Sequence, residues 1–95
     1  MTTTDTNSLT QHSIDSTLLR RPQVEALTGL RRAAVYMRIA AGLLPRPVKI
    51  GVRVSGWPAR EMAAVNEALI AGRSDDEIRQ LVADLVAQRT AGGDE

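Results

Sequence analysis

One segment in the middle of the chain cannot be helical. Residues 43–58 read LLPRPVKIGVRVSGWP, and Pro45 and Pro47 lack the backbone N–H group that a helix interior requires. The residues that follow them alternate β-branched with other side chains, which is typical of strands. Helix-forming sequence lies on both sides of this segment. The chain is therefore expected to form helices around a single β-hairpin.

The register of the hairpin can be predicted from side-chain parity. A two-residue turn at Gly51 would place Ile50 opposite an arginine on the same face. A three-residue loop pairs Ile50 with Val54 instead and keeps apolar side chains together, as register usually requires. We predict the three-residue loop, with Arg53 at its tip.

Proline and glycine residues mark the ends of three helices. Pro22 suits a first helical position and Gly29 a helix end, so the first helix is about two turns long. The second helix runs from about residue 31 to residue 41 and ends at Gly42. Pro58 opens a third helix that extends to about residue 71.

A fourth helix is marked by a capping box. Ser74 is placed to cap the first turn, and Glu77 is placed to bind the N–H of the cap. Apolar residues follow at helical spacing, namely Ile78, Leu81, Val82, Leu85 and Val86. Two interpretations of this stripe stay open: it completes a thin core, or it forms a homodimer through residues 74–89.

Two short helices joined by a tight glycine turn and followed by a hairpin have the layout of a winged helix-turn-helix. We therefore predict a mainly α fold with a small β-hairpin, in which residues 17–72 form the winged domain and residues 73–90 an amphipathic helix. Residues 1–16 and 91–95 are predicted to be disordered tails. The predicted core and structural residues are Pro22, Val24, Leu27, Gly29, Leu30, Val35, Ile39, Val48, Ile50, Val54 and Trp57.

Basic residues are concentrated in the middle third of the chain. Residues 31–60 contain seven arginine and lysine residues and no acid, whereas residues 61–95 contain three against eight acids. Such segregation causes self-repulsion, which binding to a phosphate backbone would offset. The alternative is that the acidic last helix folds over the basic segment.

The second helix has an apolar side, with Val35 and Ile39, and a basic side that could enter the major groove of DNA. An arginine there, such as Arg32, can form a bidentate pair with guanine, and Arg53 on the hairpin can reach phosphate or the minor groove. The candidate DNA-binding residues are Arg31, Arg32, Ala33, Ala34, Tyr36, Met37, Arg38, Arg46, Lys49 and Arg53.

Several functional classes are disfavoured by composition. The chain has no cysteine and one histidine, His12, so no disulfide framework, zinc site or other cofactor site is predicted. The acids Asp75, Asp76 and Glu77 are explained by helix capping, and no glycine loop for phosphate is present, so we expect no enzyme. Without a signal sequence or a membrane span, a cytoplasmic, nucleoid-associated protein is expected.

The segment LLRRPQVEALTGLRRAAVYMRIAAGLLPRPVKIGVRVSGW resembles the AlpA family of phage and prophage regulators, and the resemblance covers about residues 18–60. These are small winged helix-turn-helix proteins related to excisionases and, more remotely, to MerR-type domains. The resemblance implies DNA binding through the second helix and the wing. By position, this role falls on Arg31, Arg32, Ala33, Ala34, Tyr36, Met37, Lys49 and Arg53.

The chain departs from the family pattern at the start of the second helix. The family usually has serine at the position of Arg31 and Ser-Thr at Ala33 and Ala34. Here the helix lacks a capping hydroxyl, which should cost roughly 1 kcal/mol, and two phosphate donors are replaced by methyl groups. The operator sequence therefore cannot be transferred from relatives.

The function predicted from these features is a sequence-specific regulator of transcription, encoded by a prophage or other mobile element, that binds double-stranded DNA. An excisionase that bends attachment-site DNA is an alternative that the residues do not separate. A helical protein-interaction module that binds no DNA is a third possibility, and it would use the last helix.

Overall fold

The computed structural model describes residues 17–93, with side chains up to residue 90. The predicted tail at residues 1–16 lies outside the described residues. Four helices and three short strands follow one another in the order β1, α1, α2, β2, β3, α3, α4. The helices are α1 (Arg21–Thr28), α2 (Arg32–Ala40), α3 (Ala59–Ile70) and α4 (Asp75–Gly93), and the strands are β1 (Leu18–Leu19), β2 (Val48–Lys49) and β3 (Ser55–Pro58). Together they form a winged helix-turn-helix, as predicted, with an additional helix after it.

Helices α1 and α2 end at glycines, as their sequences predict. Gly29 has a φ of 74° and Gly42 a φ of 80°, in the left-handed region where a side chain would be strained. The Gly29 N–H donates to the Glu25 carbonyl at 2.8 Å, and the Leu43 N–H donates to the Arg38 carbonyl at 2.8 Å. These bonds satisfy carbonyls that the helices would otherwise leave open. The chain can therefore turn within three residues between α1 and α2.

The wing has the predicted register. Val48 lies opposite Gly56 and Lys49 opposite Ser55, and the Ile50 N–H donates to the Val54 carbonyl at 2.8 Å. Residues 51–53 form the exposed loop. The prediction of a three-residue loop with Arg53 in it is confirmed.

A third strand, which the sequence did not indicate, completes the sheet. Leu18 pairs with Pro58 and Leu19 with Trp57, and the Ala59 N–H donates to the Thr17 carbonyl at 2.8 Å. The strand order is β1-β3-β2, so the second strand of the wing lies in the centre of the sheet.

The core lies between the helices and the inner face of the sheet. Trp57 is buried, and its indole N–H donates to the Pro45 carbonyl at 2.9 Å. Polar groups of a buried indole need such a partner. The most deeply buried apolar residues are Val24, Val35, Leu44, Trp57, Met62, Val65 and Ile78.

Two residues predicted for the core are instead half exposed: Leu27 at 51% and Ile50 at 48%. The inward face of the short helix α1 is formed by residues at positions 21, 24, 25 and 28, which leaves Leu27 beside it. Ile50 follows the last residue of the edge strand β2, and its side chain lies over Gly56, which offers no side chain to cover it. Pro22 is exposed and serves only the start of α1. Leu30 and Ile39 are partly buried against the core, and Val48 and Val54 are half-buried.

Helix α4 contributes to this core. The capping box is present: the Glu77 N–H donates to Ser74 Oγ at 3.2 Å, and the Ser74 N–H donates to Glu77 Oε1 at 2.9 Å. Ile78 and Val82 are buried, and Leu81, Leu85 and Val86 pack partly buried against the core. The helix extends to Gly93, beyond the predicted start of the second tail at residue 91. The apolar stripe is thus used within the monomer. Over residues 17–93, every helix is too short or too polar to traverse a lipid bilayer.

Candidate nucleic-acid interface

The two sides of α2 are separated as the sequence predicts. Val35 is fully buried and Ile39 is partly buried against the core. Tyr36 and Met37 are exposed at 45% and 72%. The other exposed residues of the helix are Arg32, Ala33 and Ala40, while Ala34 and Arg38 are half-buried. The exposed side is free to contact a partner along the whole length of the helix.

The N-terminus of α2 has no side-chain cap. Arg31 occupies the capping position in an extended conformation and makes no capping hydrogen bond with its side chain, as the missing serine predicted. No acidic residue lies in the first turn. The backbone N–H groups of that turn, together with the helix dipole, therefore present uncompensated positive charge. This end of the helix suits an anion.

A cleft of about 520 Å³ separates the start of α1 from the wing, and α2 borders it. Tyr36 of α2 and Arg53 of the wing tip both line this cleft. Arg20 and Arg21 line it as well, and Arg21 also pairs with Glu25 at 3.0 Å. The remaining lining residues are Pro22, Pro47, Ser55 and Trp57. Two consecutive arginines from the start of α1 and one from the wing thus meet around one cleft, which we call the basic cleft.

Sequence reasoning missed Arg20 and Arg21. They lie in the first third of the chain, where acids outnumber basic residues, so a count of charge by segment did not indicate them. The available signal was their position immediately before Pro22, at a helix start, where positive charge is unfavourable for the helix dipole. Arg21 is offset within α1 by its ion pair with Glu25, so Arg20 is the charge that this signal singles out.

The basic residues predicted to bind DNA make no ion pair with any acid among the described residues. In the described part of the chain, no carboxylate pairs with any of Arg31, Arg32, Arg38, Arg46, Lys49 and Arg53. The ion pairs of the last two helices are Arg79 with Asp76 and Arg89 with Glu61. The alternative that the acidic last helix folds over the basic segment holds at residues 41–46, where Arg79 and Arg89 bind backbone carbonyls, but these contacts do not involve the carboxylates of that helix.

Not all predicted residues meet at the basic cleft. Arg46 lines a different groove, of about 340 Å³, beside α4. Lys49 is exposed on the edge strand β2. Of the basic residues of segment 31–60, Arg53 alone lines the basic cleft. Within the described residues, no cluster of acidic or histidine side chains has the arrangement of a metal site.

One family model matches the chain. The model of the prophage CP4-57 regulatory protein (AlpA) matches residues 17–64, about half of the chain. The match begins just before β1 and ends inside α3, so that it covers α2, the wing and the basic cleft but not α4. No curated protein and no solved structure was found to match. On the strength of this coverage, the chain belongs to the AlpA family of prophage regulatory proteins.

Proposed function

We propose that the protein is a sequence-specific DNA-binding regulator of transcription, with α2 in the major groove and the wing on the sugar-phosphate backbone. The observation that carries this proposal is the basic cleft, where Arg53 of the wing and Arg20 and Arg21 at the start of α1 lie around the same space as Tyr36 of α2. A convergent positive surface is the electrostatic footprint of a nucleic-acid site. Of the three arginines, only Arg21 has a carboxylate partner, Glu25, in the described part of the chain.

The exposed side of α2 supplies the contacts to bases. Arg32 lies in the first turn, where recognition helices approach base edges, and it is exposed and free of ion pairs in the described part of the chain. Its guanidinium can donate to both acceptors of guanine. Ala33, also exposed, is small enough to allow close approach of the helix backbone.

The basic cleft supplies contacts to phosphates. Arg53 is exposed in the wing loop, and Arg20 faces it across the cleft from the start of α1. Tyr36 can donate its hydroxyl hydrogen to a phosphate oxygen. If about five basic residues meet phosphates, the plot of log affinity against log salt should have a slope of about −4 to −5.

The experiment is to select bound sites from random duplexes and then repeat the selection with variants. We expect Arg32→Ala to change the preferred bases, because this residue reads the sequence. We expect Arg53→Ala to weaken all sites about equally and to reduce the salt slope by about 1, as loss of a phosphate contact does. Arg73→Ala is the matched control, since it removes one exposed arginine that does not line the basic cleft.

Two results would contradict the proposal. One is a salt slope near zero for the best selected site. The other is a set of preferred bases and affinities that neither Arg32→Ala nor Arg53→Ala alters beyond the effect of the control.

A further inference from the structure

Helix α4 contacts the connection between the two proposed DNA-binding elements. Residues 41–47 join the end of α2 to the start of β2. Arg79 Nε donates to the Ala41 carbonyl at 2.9 Å, and Arg89 Nη2 donates to the Arg46 carbonyl at 2.8 Å. One helix thus binds both ends of this connection through guanidinium groups.

Each guanidinium is itself held by a carboxylate. Arg89 binds Glu61 through two nitrogens, with a distance of 2.9 Å between Nε and Oε2, and Glu61 is only 1% exposed. Arg79 binds Asp76 at 3.0 Å, and its aliphatic stem lies beside Gly42, where an added Cβ would be 3.6 Å from Arg79 Cγ. Charge-assisted and bidentate hydrogen bonds fix geometry better than neutral ones. The buried bidentate pair fixes Arg89, whereas Asp76 is exposed and the position of Arg79 depends on its carbonyl bond and its contact with Gly42.

Apolar packing accompanies these bonds at the middle of the connection. Leu43 and Leu44 are buried in the same core cluster as Ile78 and Val82 of α4. A surface groove of about 340 Å³ lies beside this contact. The hydrogen bonds of Arg79 and Arg89 add polar links at residues 41 and 46, the two ends of the connection.

We propose that Arg79 and Arg89 are positioning residues that set the placement of the recognition helix α2 relative to the wing. The inference rests on the proposed function and deepens it. Base recognition by α2 and phosphate contact by Arg53 must occur together. The side chains of a binding site have to be held within about 0.5 Å of their productive positions for this. Helix α4 lies outside the part of the chain that matches the family, and it sharpens sequence discrimination without touching DNA.

The test uses Arg79→Gln, because this side chain is 46% exposed and its loss leaves no buried carboxylate unpaired. Arg73→Gln is the control that removes the same charge from an exposed position without a carbonyl bond to the connection. Affinities are measured for the best selected duplex and for a random-sequence duplex at the same salt concentration. The affinity for the random duplex should fall by the same small factor in both variants. Only Arg79→Gln should have its affinity for the selected duplex lowered by a further factor of about five to ten, which is at the lower end of the usual coupling between sites.

Hydrogen exchange of the free protein provides a second measurement. The Leu43 N–H, which donates to the Arg38 carbonyl, should exchange about tenfold faster in Arg79→Gln than in Arg73→Gln, because the end of α2 loses its anchor. The proposal is overturned if exchange is unchanged, or if the two variants have the same ratio of selected to random affinity. It is equally overturned if Arg79→Gln weakens the random duplex more than the control does, since Arg79 would then contact phosphate directly. A wild-type protein that binds neither duplex would refute the proposed function, and the exchange measurement would still decide whether Arg79 holds the connection.

Discussion

Removing Arg89 should destabilise the protein more than any other single loss of charge in the described residues. Arg89 binds the carboxylate of Glu61, whose side chain is 1% exposed, and its own side chain is 15% exposed. Arg89→Ala leaves this carboxylate buried without a partner. Breaking a buried ion pair from one side costs about 3–5 kcal/mol, which is a large share of the roughly 5–10 kcal/mol expected for a domain of this size. The melting temperature should fall by about 12 °C or more.

Urea denaturation followed by tryptophan fluorescence measures this loss. Trp57 is the only tryptophan, and it is buried in the core, so its emission reports global unfolding. The double variant Glu61→Leu/Arg89→Met removes both charges and fills the site with apolar side chains. It should recover to within about 1–2 kcal/mol of the wild type, because no charge is left buried. The remaining deficit reflects the lost hydrogen bond to the Arg46 carbonyl.

The double variant also decides whether the reasoning holds. If Glu61→Leu/Arg89→Met is as unstable as Arg89→Ala, the unpaired carboxylate is not the cause of the loss. A loss of less than about 1 kcal/mol in Arg89→Ala, the value typical of an exposed pair, would also refute the argument.

Three further predictions concern the sheet and α4. Gly56→Ala should cost about 1–3 kcal/mol, because the added Cβ would lie 3.1 Å from the backbone oxygen of Leu19, whereas Gly51→Ala, with open space around it, should be nearly neutral in urea denaturation. The Ser74 backbone N–H lowers the pKa of Glu77 below its ordinary value of 4.5, so its stabilising effect is present above that pH and lost as the pH falls through the lowered pKa. The stability difference between wild type and Glu77→Gln should therefore shrink from pH 7 to pH 3, and an equal difference at both values would contradict this. A chain ending at Gly72 should lose at least about 3 kcal/mol of stability, since burial of Ile78 and Val82 is lost, while light scattering shows the same oligomeric state as for the full chain. Loss of a dimer with unchanged stability would indicate an interface instead.

Local signals predicted the helices and the wing. Gly29 and Gly42 adopt the left-handed backbone that helix ends require, and the Ser74 capping box starts α4 as its residue types indicate. The loop of the wing was predictable because shifting the register would have paired Ile50 with a charged side chain. Each of these features depends on residues within a few positions of one another.

Contacts between distant residues could not be predicted in the same way. Leu18 pairs with Pro58, and no local pattern in the sequence predicts this pairing. Arg89 binds Glu61, which lies 28 positions away in the sequence. The basic cleft likewise depends on how α1 is placed beside the wing. Arg20 and Arg21 could therefore be recognised as candidate site residues only from the fold. Leu27 was misassigned for a related reason: an eight-residue helix has room for one narrow inward face, and its direction is set by the partners it meets.

The central position of β3 has a mechanical consequence for the wing. Hydrogen bonds on both sides tie this strand to β1 and β2, so the hairpin cannot swing as a flap without tearing the sheet. Only the three-residue loop and its side chains retain local freedom. If the protein binds DNA as proposed, a duplex whose grooves do not match the separation between wing and helix has to bend or twist to engage both. Flexible steps in such a target would lower that deformation energy, so a rigid wing would favour pliable sequences even at positions that no side chain reads.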